Sequence, residues 1–79
     1  MAVNLTRLLE SRASEWKRRN PERPLRFLLI WCDSSIQPAY AMPDDYAVEC
    51  FSSRAAWNAR KKELDKRGGV RGADYQLEK

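Results

Sequence analysis

Residues 25–32 read Leu25-Arg26-Phe27-Leu28-Leu29-Ile30-Trp31-Cys32, and this run decides the fold. Seven of the eight residues are apolar, with Pro24 before the run and Asp33 after it. An almost continuous apolar run of this length is typical of a strand buried on both faces. Because side chains alternate along a strand, one face is predicted to carry Phe27, Leu29 and Trp31 and the other Leu28, Ile30 and Cys32. Each face of the sheet must therefore pack against another element of the fold.

Two segments on either side of this strand have the patterns of a helix and a partner strand. Upstream, Asn4 or Thr6 is predicted to cap a helix that ends near Arg19, since Asn20-Pro21 cannot continue it. Downstream, residues 46–51 alternate as a second strand, which most simply pairs antiparallel with the first. Residues 39–42 are either a short edge strand or part of an irregular loop.

The C-terminal third predicts a second helix and a last strand. Ser52 or Ser53 can cap a helix through about Lys66, and Gly68-Gly69 can end it with residues that accept positive φ. The alternating residues 74–78 indicate a half-exposed strand that begins near Val70 or Ala73 and can pair with either neighbour.

These elements predict one α+β domain over residues 1–79, in the order α-β-(β)-β-α-β. The expected architecture is a three- or four-stranded, mainly antiparallel sheet with two helices packed on it. The longest apolar run is far shorter than the roughly 20 residues that span a bilayer. We therefore expect a cytoplasmic protein without membrane contact.

The residue types present argue against catalysis, metal binding and cofactor binding. Histidine is absent, which excludes nucleophiles that depend on imidazole. The adjacent Asp44 and Asp45 would point to opposite faces of a strand, which suits a solvated turn better than a carboxylate pair. Cys32 and Cys50 lie 18 positions apart, so they are expected to be buried thiols, with a disulfide as the alternative. We predict a non-enzymatic protein with no catalytic residues, no metal and no cofactor.

Charge is distributed unevenly along the chain. The net charge is +4 over residues 1–32, −4 over residues 33–51 and +4 over residues 52–79. Cations cluster near the predicted ends of both helices, where they could bind carboxylates or the phosphates of a nucleic acid. The predicted binding residues of the first cluster are Lys17, Arg18, Arg19, Arg23 and Arg26. Those of the second are Arg60, Lys61, Lys62, Lys66, Arg67 and Arg71.

Aromatic residues supply a second candidate contact. Trp16 and Trp57 are expected on the inward faces of the helices, whereas Tyr40 and Tyr75 are less obviously enclosed. Exposed aromatic side chains are common anchors of protein interfaces. Tyr40, in the acidic segment 33–45, is therefore a predicted binding residue beside the two basic clusters.

In size and in its lack of catalytic groups, the chain resembles small stand-alone proteins of phages and mobile elements, among them the anti-CRISPR proteins. No functional residue is carried over from this resemblance, because it does not rest on a motif. It implies an inhibitor or adaptor that occludes a host protein or nucleoprotein complex, as a monomer or homodimer. The alternative is a nucleic-acid-binding module that uses the same basic clusters.

Overall fold

The computed structural model describes residues 3–77, which form two helices and one three-stranded antiparallel sheet. The helices are α1, Leu5–Arg19, and α2, Arg54–Arg67. The strands are β1, Phe27–Asp33, β2, Ala47–Phe51, and β3, Val70–Gln76. Their order across the sheet is β2-β1-β3, so the apolar run lies at the centre. The predicted α+β class is confirmed.

The central strand is enclosed on both sides, as its composition requires. Phe27 and Leu29 pack with Trp57 and Leu64 of α2, and Trp31 borders the same cluster. The alternating Leu28, Ile30 and Cys32 face away from α2 and are at most 6% exposed. Helix α1 packs along β2 on that second side. The sheet is therefore the middle layer between the two helices.

Both helices begin at the caps that the sequence contains. The Asn4 Oδ1 accepts a hydrogen bond from the Arg7 amide, and the Ser53 Oγ accepts one from the Ala56 amide. Helix α2 ends where the Gly68 amide donates to the Leu64 carbonyl, with Gly68 at φ 69°. Asn4 and Ser53 are thus the caps among the alternatives that the sequence left open.

The last strand pairs with the first, which the sequence left undecided. Leu28 faces Tyr75 and Ile30 faces Ala73 in this antiparallel ladder. Gly72 faces Trp31 at a point where a Cβ would lie 2.1 Å from the Ile30 carbonyl oxygen. Only glycine fits there, because any side chain would collide with the backbone of β1.

The possible strand at residues 39–42 is wrong. Pro38–Tyr40 and Pro43–Asp45 instead form two single 3-10 turns. Proline fixes φ near −65° and lacks an N–H, so it suits the first position of a helical turn better than a strand ladder. Two prolines five positions apart thus divide the segment into turns.

The boundaries of the first two strands differ slightly from those predicted. The first strand begins at Phe27 and not at Leu25, and the second begins at Ala47 and not at residue 46. Within residues 3–77, neither helix is long and apolar enough to cross a membrane.

Candidate functional site

The first basic cluster lies at one end of the sheet, where β1 begins and β2 ends. The Arg26 amide donates to the Phe51 carbonyl at 3.1 Å, and an Arg23 Nη2 donates to the Ser52 Oγ at 3.2 Å. These contacts hold residues 20–26 beside the N-terminus of α2. Arg54, in the first turn of α2, lies over the Phe27 ring at 5.2 Å and joins the cluster.

We call this group of cations the basic end. All of its members have exposed side chains, and the N-terminus of α2 adds the positive end of a helix dipole. Its residues are Lys17, Arg18, Arg19, Arg23, Arg26 and Arg54. One member, Arg19, makes an exposed ion pair with Glu15 at 3.2 Å. Arg54 is not among the binding residues predicted from sequence, since it has no cation beside it in the chain.

The guanidinium of Arg23 has a defined position because it lies over the Trp16 ring. The distance from the guanidinium carbon to the ring centroid is 5.5 Å. Such a cation–π contact is worth roughly 0.5–1 kcal/mol at an exposed site. Trp16 is half-buried beneath it, on the inward side of α1 as predicted.

The second basic cluster is largely used within the fold. Arg60 forms a fork with the Glu49 carboxylate, with Nε–Oε1 at 2.9 Å and Nη2–Oε2 at 3.0 Å, and its Nη1 meets Glu63 at 3.1 Å. These acids raise the pKa of Arg60. The Trp31 indole N–H donates to the same Glu49 at 2.8 Å. Arg60 is therefore a structural residue that ties α2 to the sheet.

Lys61 is also engaged with its own chain. Its Nζ lies 2.8 Å from Asp74 Oδ2 and 3.6 Å from the centroid of the Trp57 ring. The hydrogen bond from Lys61 lowers the pKa of Asp74. The predicted binding role for Arg60 and Lys61 thus competes with contacts that they already make inside the fold.

The other members of the second cluster lie elsewhere. Lys62 and Lys66 are exposed on the outer side of α2. Arg67 stacks over Trp31 at 5.1 Å, and an Arg71 Nη1 donates to the Ser34 carbonyl at 3.3 Å. Helix α2 runs from the start of β1 to its end, so Arg67 and Arg71 are separated from the basic end by the length of the sheet. The two predicted clusters do not form one surface.

Tyr40 lies in a loop at the end of the sheet opposite the basic end. We call residues 34–46 the Tyr40 loop. Tyr40 is 77% exposed and Met42 is 63% exposed, whereas Ala41 between them is 1% exposed. The buried alanine fixes the loop to the body of the protein. Two large side chains are thereby presented to solvent.

Local hydrogen bonds hold the Tyr40 loop in one shape. The Met42 amide donates to Asp45 Oδ2 at 2.7 Å, and the Tyr40 amide donates to the Gln37 carbonyl at 3.0 Å. At its start, Asp33 Oδ1 accepts from both the amide and the hydroxyl of Ser35. These bonds lower the pKa of Asp33, with smaller contributions from nearby arginines.

An open groove lies beside the Tyr40 loop. It has a volume of about 590 Å³ and runs between the first turns of α1 and the stretch from Ala41 to Pro43. Leu8 and Arg7 line its α1 side. Leu5, also in the first turn of α1, is 39% exposed. Met42 thus stands at the margin of a concave surface.

Cys32 and Cys50 are both free thiols in this structure, so the alternative of a disulfide between them is wrong. Cys32 is buried and Cys50 is half-buried. Burial raises the pKa of the Cys50 thiol. Among the described residues, no group of three or more cysteine, aspartate or glutamate side chains is placed to hold a metal ion.

Comparison with known proteins gives no relative. No family model matches the chain, and no curated protein or solved structure matches it either.

Proposed function

We propose that this protein is a non-enzymatic binding protein, an inhibitor or adaptor of the anti-CRISPR type that occludes a host protein or nucleoprotein complex through the Tyr40 loop. The observation that carries the proposal is the exposure of Tyr40 and Met42 on either side of the buried Ala41. Tyrosine is enriched among the residues that dominate binding energy, and tyrosine and methionine are both enriched in the cores of protein interfaces.

The order of the loop supports this role. A partner that binds an already fixed loop avoids the cost of ordering it, which is about 0.5–1.5 kcal/mol for each immobilised flexible side chain. The Asp45 bond to the Met42 amide and the turns at Pro38 and Pro43 supply that order. Tyr40 itself has only two side-chain torsions to restrict on binding.

The charges around the loop indicate the chemistry of the partner surface. Asp33, Asp44 and Asp45 are exposed beside the two anchors. A complementary surface would have an apolar pocket for Tyr40 and Met42, surrounded by lysine or arginine side chains. Such surfaces are common on proteins that bind nucleic acids, in keeping with a nucleoprotein complex as target.

The test compares a loop variant with a matched surface variant. Tyr40→Ala/Met42→Ala removes both anchors, while Asn58→Ala/Glu63→Ala shortens two exposed side chains on α2. Each variant is expressed in a bacterium with an active CRISPR–Cas system, and the plating efficiency of a targeted phage is measured. Tagged proteins then retrieve partners, which are purified and titrated.

The expected result is that the wild type and the α2 variant raise plating efficiency and bind one purified partner. Loss of both anchors should weaken that binding at least about 30-fold, the effect of a residue worth 2 kcal/mol or more. Unchanged plating with all three proteins, together with no partner whose titration distinguishes the loop variant, would contradict the proposal.

The basic end supports a second candidate, a nucleic-acid-binding module. It gathers exposed cations from α1, the following loop and α2, and Arg23 and Arg54 already stack on aromatic rings. Phosphate binding by such a cluster releases counterions, so affinity falls steeply with salt.

Fluorescence anisotropy with duplex and single-stranded nucleic acid tests this candidate. The variant Arg18→Glu/Arg26→Glu should reduce the slope of log affinity against log salt, by about one for each phosphate group that the variant no longer binds. Arg7→Glu, on the opposite end of α1, is the matched control. Absence of binding at low salt by the wild type would rule out the module.

A further inference from the structure

The outer edge of β3 has backbone groups that no strand within residues 3–77 uses. The Leu77 amide donates to the Arg26 carbonyl at 2.8 Å, so Leu77 directs its backbone towards β1. Backbone direction alternates along an antiparallel strand. Within the described strand, the N–H and C=O groups of Val70, Gly72, Asp74 and Gln76 therefore point outward, away from the sheet.

This edge carries two charged residues, Arg71 and Asp74, but few of the other features by which proteins protect exposed strands. Its seven residues include no proline and no lysine, and every one of them is exposed or half-buried. Next to it, Tyr75 is 41% exposed and Leu77 is 37% exposed on the α1 side of the sheet. A long strand edge without proline or lysine is a ready template for another strand. By contrast, β2 is five residues long and half-buried throughout.

We propose that two copies of this protein pair through β3, antiparallel, with Ala73 of each copy on the two-fold axis. Ala73 is the middle residue of Val70–Gln76, so this register gives complete overlap of the two strands. Every outward-pointing backbone group of one copy then meets one from the other. The result is a continuous six-stranded sheet with both α1 helices on the same side.

The side chains are compatible in this register. Gly72 faces Asp74 of the second copy, and Asp74 is already turned towards Lys61 of its own chain. On the other side of the sheet, this register places Arg71 opposite Tyr75 of the second copy, with one guanidinium nitrogen bonded to the Ser34 carbonyl of its own chain. Side chains that lie directly opposite each other on antiparallel strands stabilise the pairing by roughly 0.2–1 kcal/mol when they are oppositely charged or pack well.

The neighbouring registers are less favourable. A shift that places Asp74 on the axis brings two carboxylates directly opposite each other, which is destabilising. A shift in the other direction places Gly72 on the axis, shortens the overlap and puts Tyr75 opposite Gly69, which has a positive φ and lies outside the strand. The sequence of β3 therefore selects a single pairing with itself.

Disulfide trapping tests the register. Ala73 would form a non-hydrogen-bonded pair with its counterpart, with a Cα–Cα distance of about 4.5 Å, inside the range that a disulfide spans. Ala73→Cys, in a Cys50→Ser background, should give a cross-linked dimer on mild oxidation. Ala59→Cys, at an exposed alanine on α2, is the matched control. Cross-linking of Ala73→Cys at least tenfold faster than the control supports the pairing.

Charge substitutions at Tyr75 provide a second measurement, by sedimentation equilibrium over a concentration series. Tyr75→Glu puts a carboxylate opposite Arg71 of the second copy and should lower the dissociation constant of the dimer. Tyr75→Arg puts two like charges opposite each other and should raise that constant at least tenfold. Circular dichroism checks that each variant is folded. The proposal is wrong if the wild type stays monomeric at several hundred micromolar and Ala73→Cys cross-links no faster than Ala59→Cys. A dimer that is indifferent to both Tyr75 substitutions and is not trapped at residue 73 would also overturn it.

Discussion

At the scale of single residues, the Glu49 carboxylate links the sheet to α2. It accepts from the Trp31 indole in the sheet and from Arg60 on α2, and Arg60 also reaches Glu63. The Glu49 and Arg60 side chains are 27% and 33% exposed, so solvent screens this pair only partly. Removing Glu49 therefore leaves two donors without their acceptor.

Glu49→Ala should lower the free energy of unfolding by about 1–3 kcal/mol, the usual cost of leaving such donors unpaired. Glu63→Ala removes only an acid whose side chain is 68% exposed and should change stability by less than about 0.5 kcal/mol. Urea denaturation followed by circular dichroism measures both. An equal change in the free energy of unfolding for the two variants would show that the hydrogen bonds of Glu49 add no stability.

The Asp74 carboxylate makes stability depend on acid pH. Its pKa is lowered in the folded state by Lys61, so its contribution is complete above the unfolded pKa of about 3.9 and is lost as pH falls through the folded pKa. The carboxylate is 46% exposed, so the contribution at pH 7 should not exceed about 1 kcal/mol.

Asp74→Asn should therefore be less stable than the wild type at pH 7, and the difference should shrink as pH falls from about 5 to 2. Chemical denaturation at a series of pH values measures this. Glu10→Gln, at an exposed acid on α1, serves as the control. A difference between wild type and Asp74→Asn that stays constant down to pH 2 would contradict the assignment.

At the scale of elements, the Tyr40 loop depends on a small set of local bonds. The Asp45 carboxylate accepts a hydrogen bond from the Met42 amide at 2.7 Å, which closes the second 3-10 turn around Pro43. Neighbouring backbone bonds support the first turn at Pro38. The presentation of Tyr40 and Met42 therefore depends on this carboxylate as well as on the burial of Ala41.

Asp45→Ala should speed hydrogen exchange at the Met42 amide at least about tenfold, since a charge-assisted bond of roughly 1.5–3 kcal/mol is removed. Exchange in the core of β1 should stay unchanged. Asp44→Ala, at the adjacent exposed acid, is the control. Measurement is by NMR, and equal exchange at Met42 in the two variants would mean that the turn holds without the carboxylate.

Local elements could be predicted from sequence because their signals are local. The apolar run defines β1, the caps Asn4 and Ser53 define both helix starts, and Gly68 defines the end of α2. The partner of β3 could not be predicted, because strand pairing depends on contacts far apart in the chain. Residues 39–42 could not be assigned to a strand or a loop from sequence, because proline is tolerated both at the start of an edge strand and in a turn.

The candidate site was harder to predict for the same reason. Arg60 and Lys61 are close in sequence to cations that stay free. Their own acidic partners, Glu49 and Asp74, lie on β2 and β3, which are distant in sequence. Conversely, Arg54 stands alone in sequence, and only the fold brings it to the basic end. Cationic residues can be identified from sequence, whereas their free or paired state depends on the fold.

At the scale of the whole molecule, three thin layers share a small core. Nine apolar residues are buried in all among those described, and β1 contributes five of them. A chain of this length buries only about 60% of the surface that its unfolded form exposes. Loss of either neighbour of β1 therefore removes a large part of the stabilising contacts.

Gly72→Ala should accordingly destabilise the whole molecule and not β3 alone. A Cβ at 2.1 Å from the Ile30 oxygen cannot be accommodated without separating β3 from β1, so we expect a loss of about 2 kcal/mol or more. Gly68→Ala, which has positive φ but open space around it, should cost about 1 kcal/mol. Thermal melts compare the two, and a Gly72→Ala protein as stable as the wild type would contradict the close approach.

The placement of the indoles gives this fold a built-in set of optical reporters. Trp16 lies in α1, Trp31 in β1 and Trp57 in α2, and each has a cationic side chain over its ring. A cation held over an indole alters its emission, and the effect ends when the two groups separate. Proteins that keep one tryptophan at a time would each report the melting of a different layer by fluorescence. Three coincident transitions would identify a single cooperative unit.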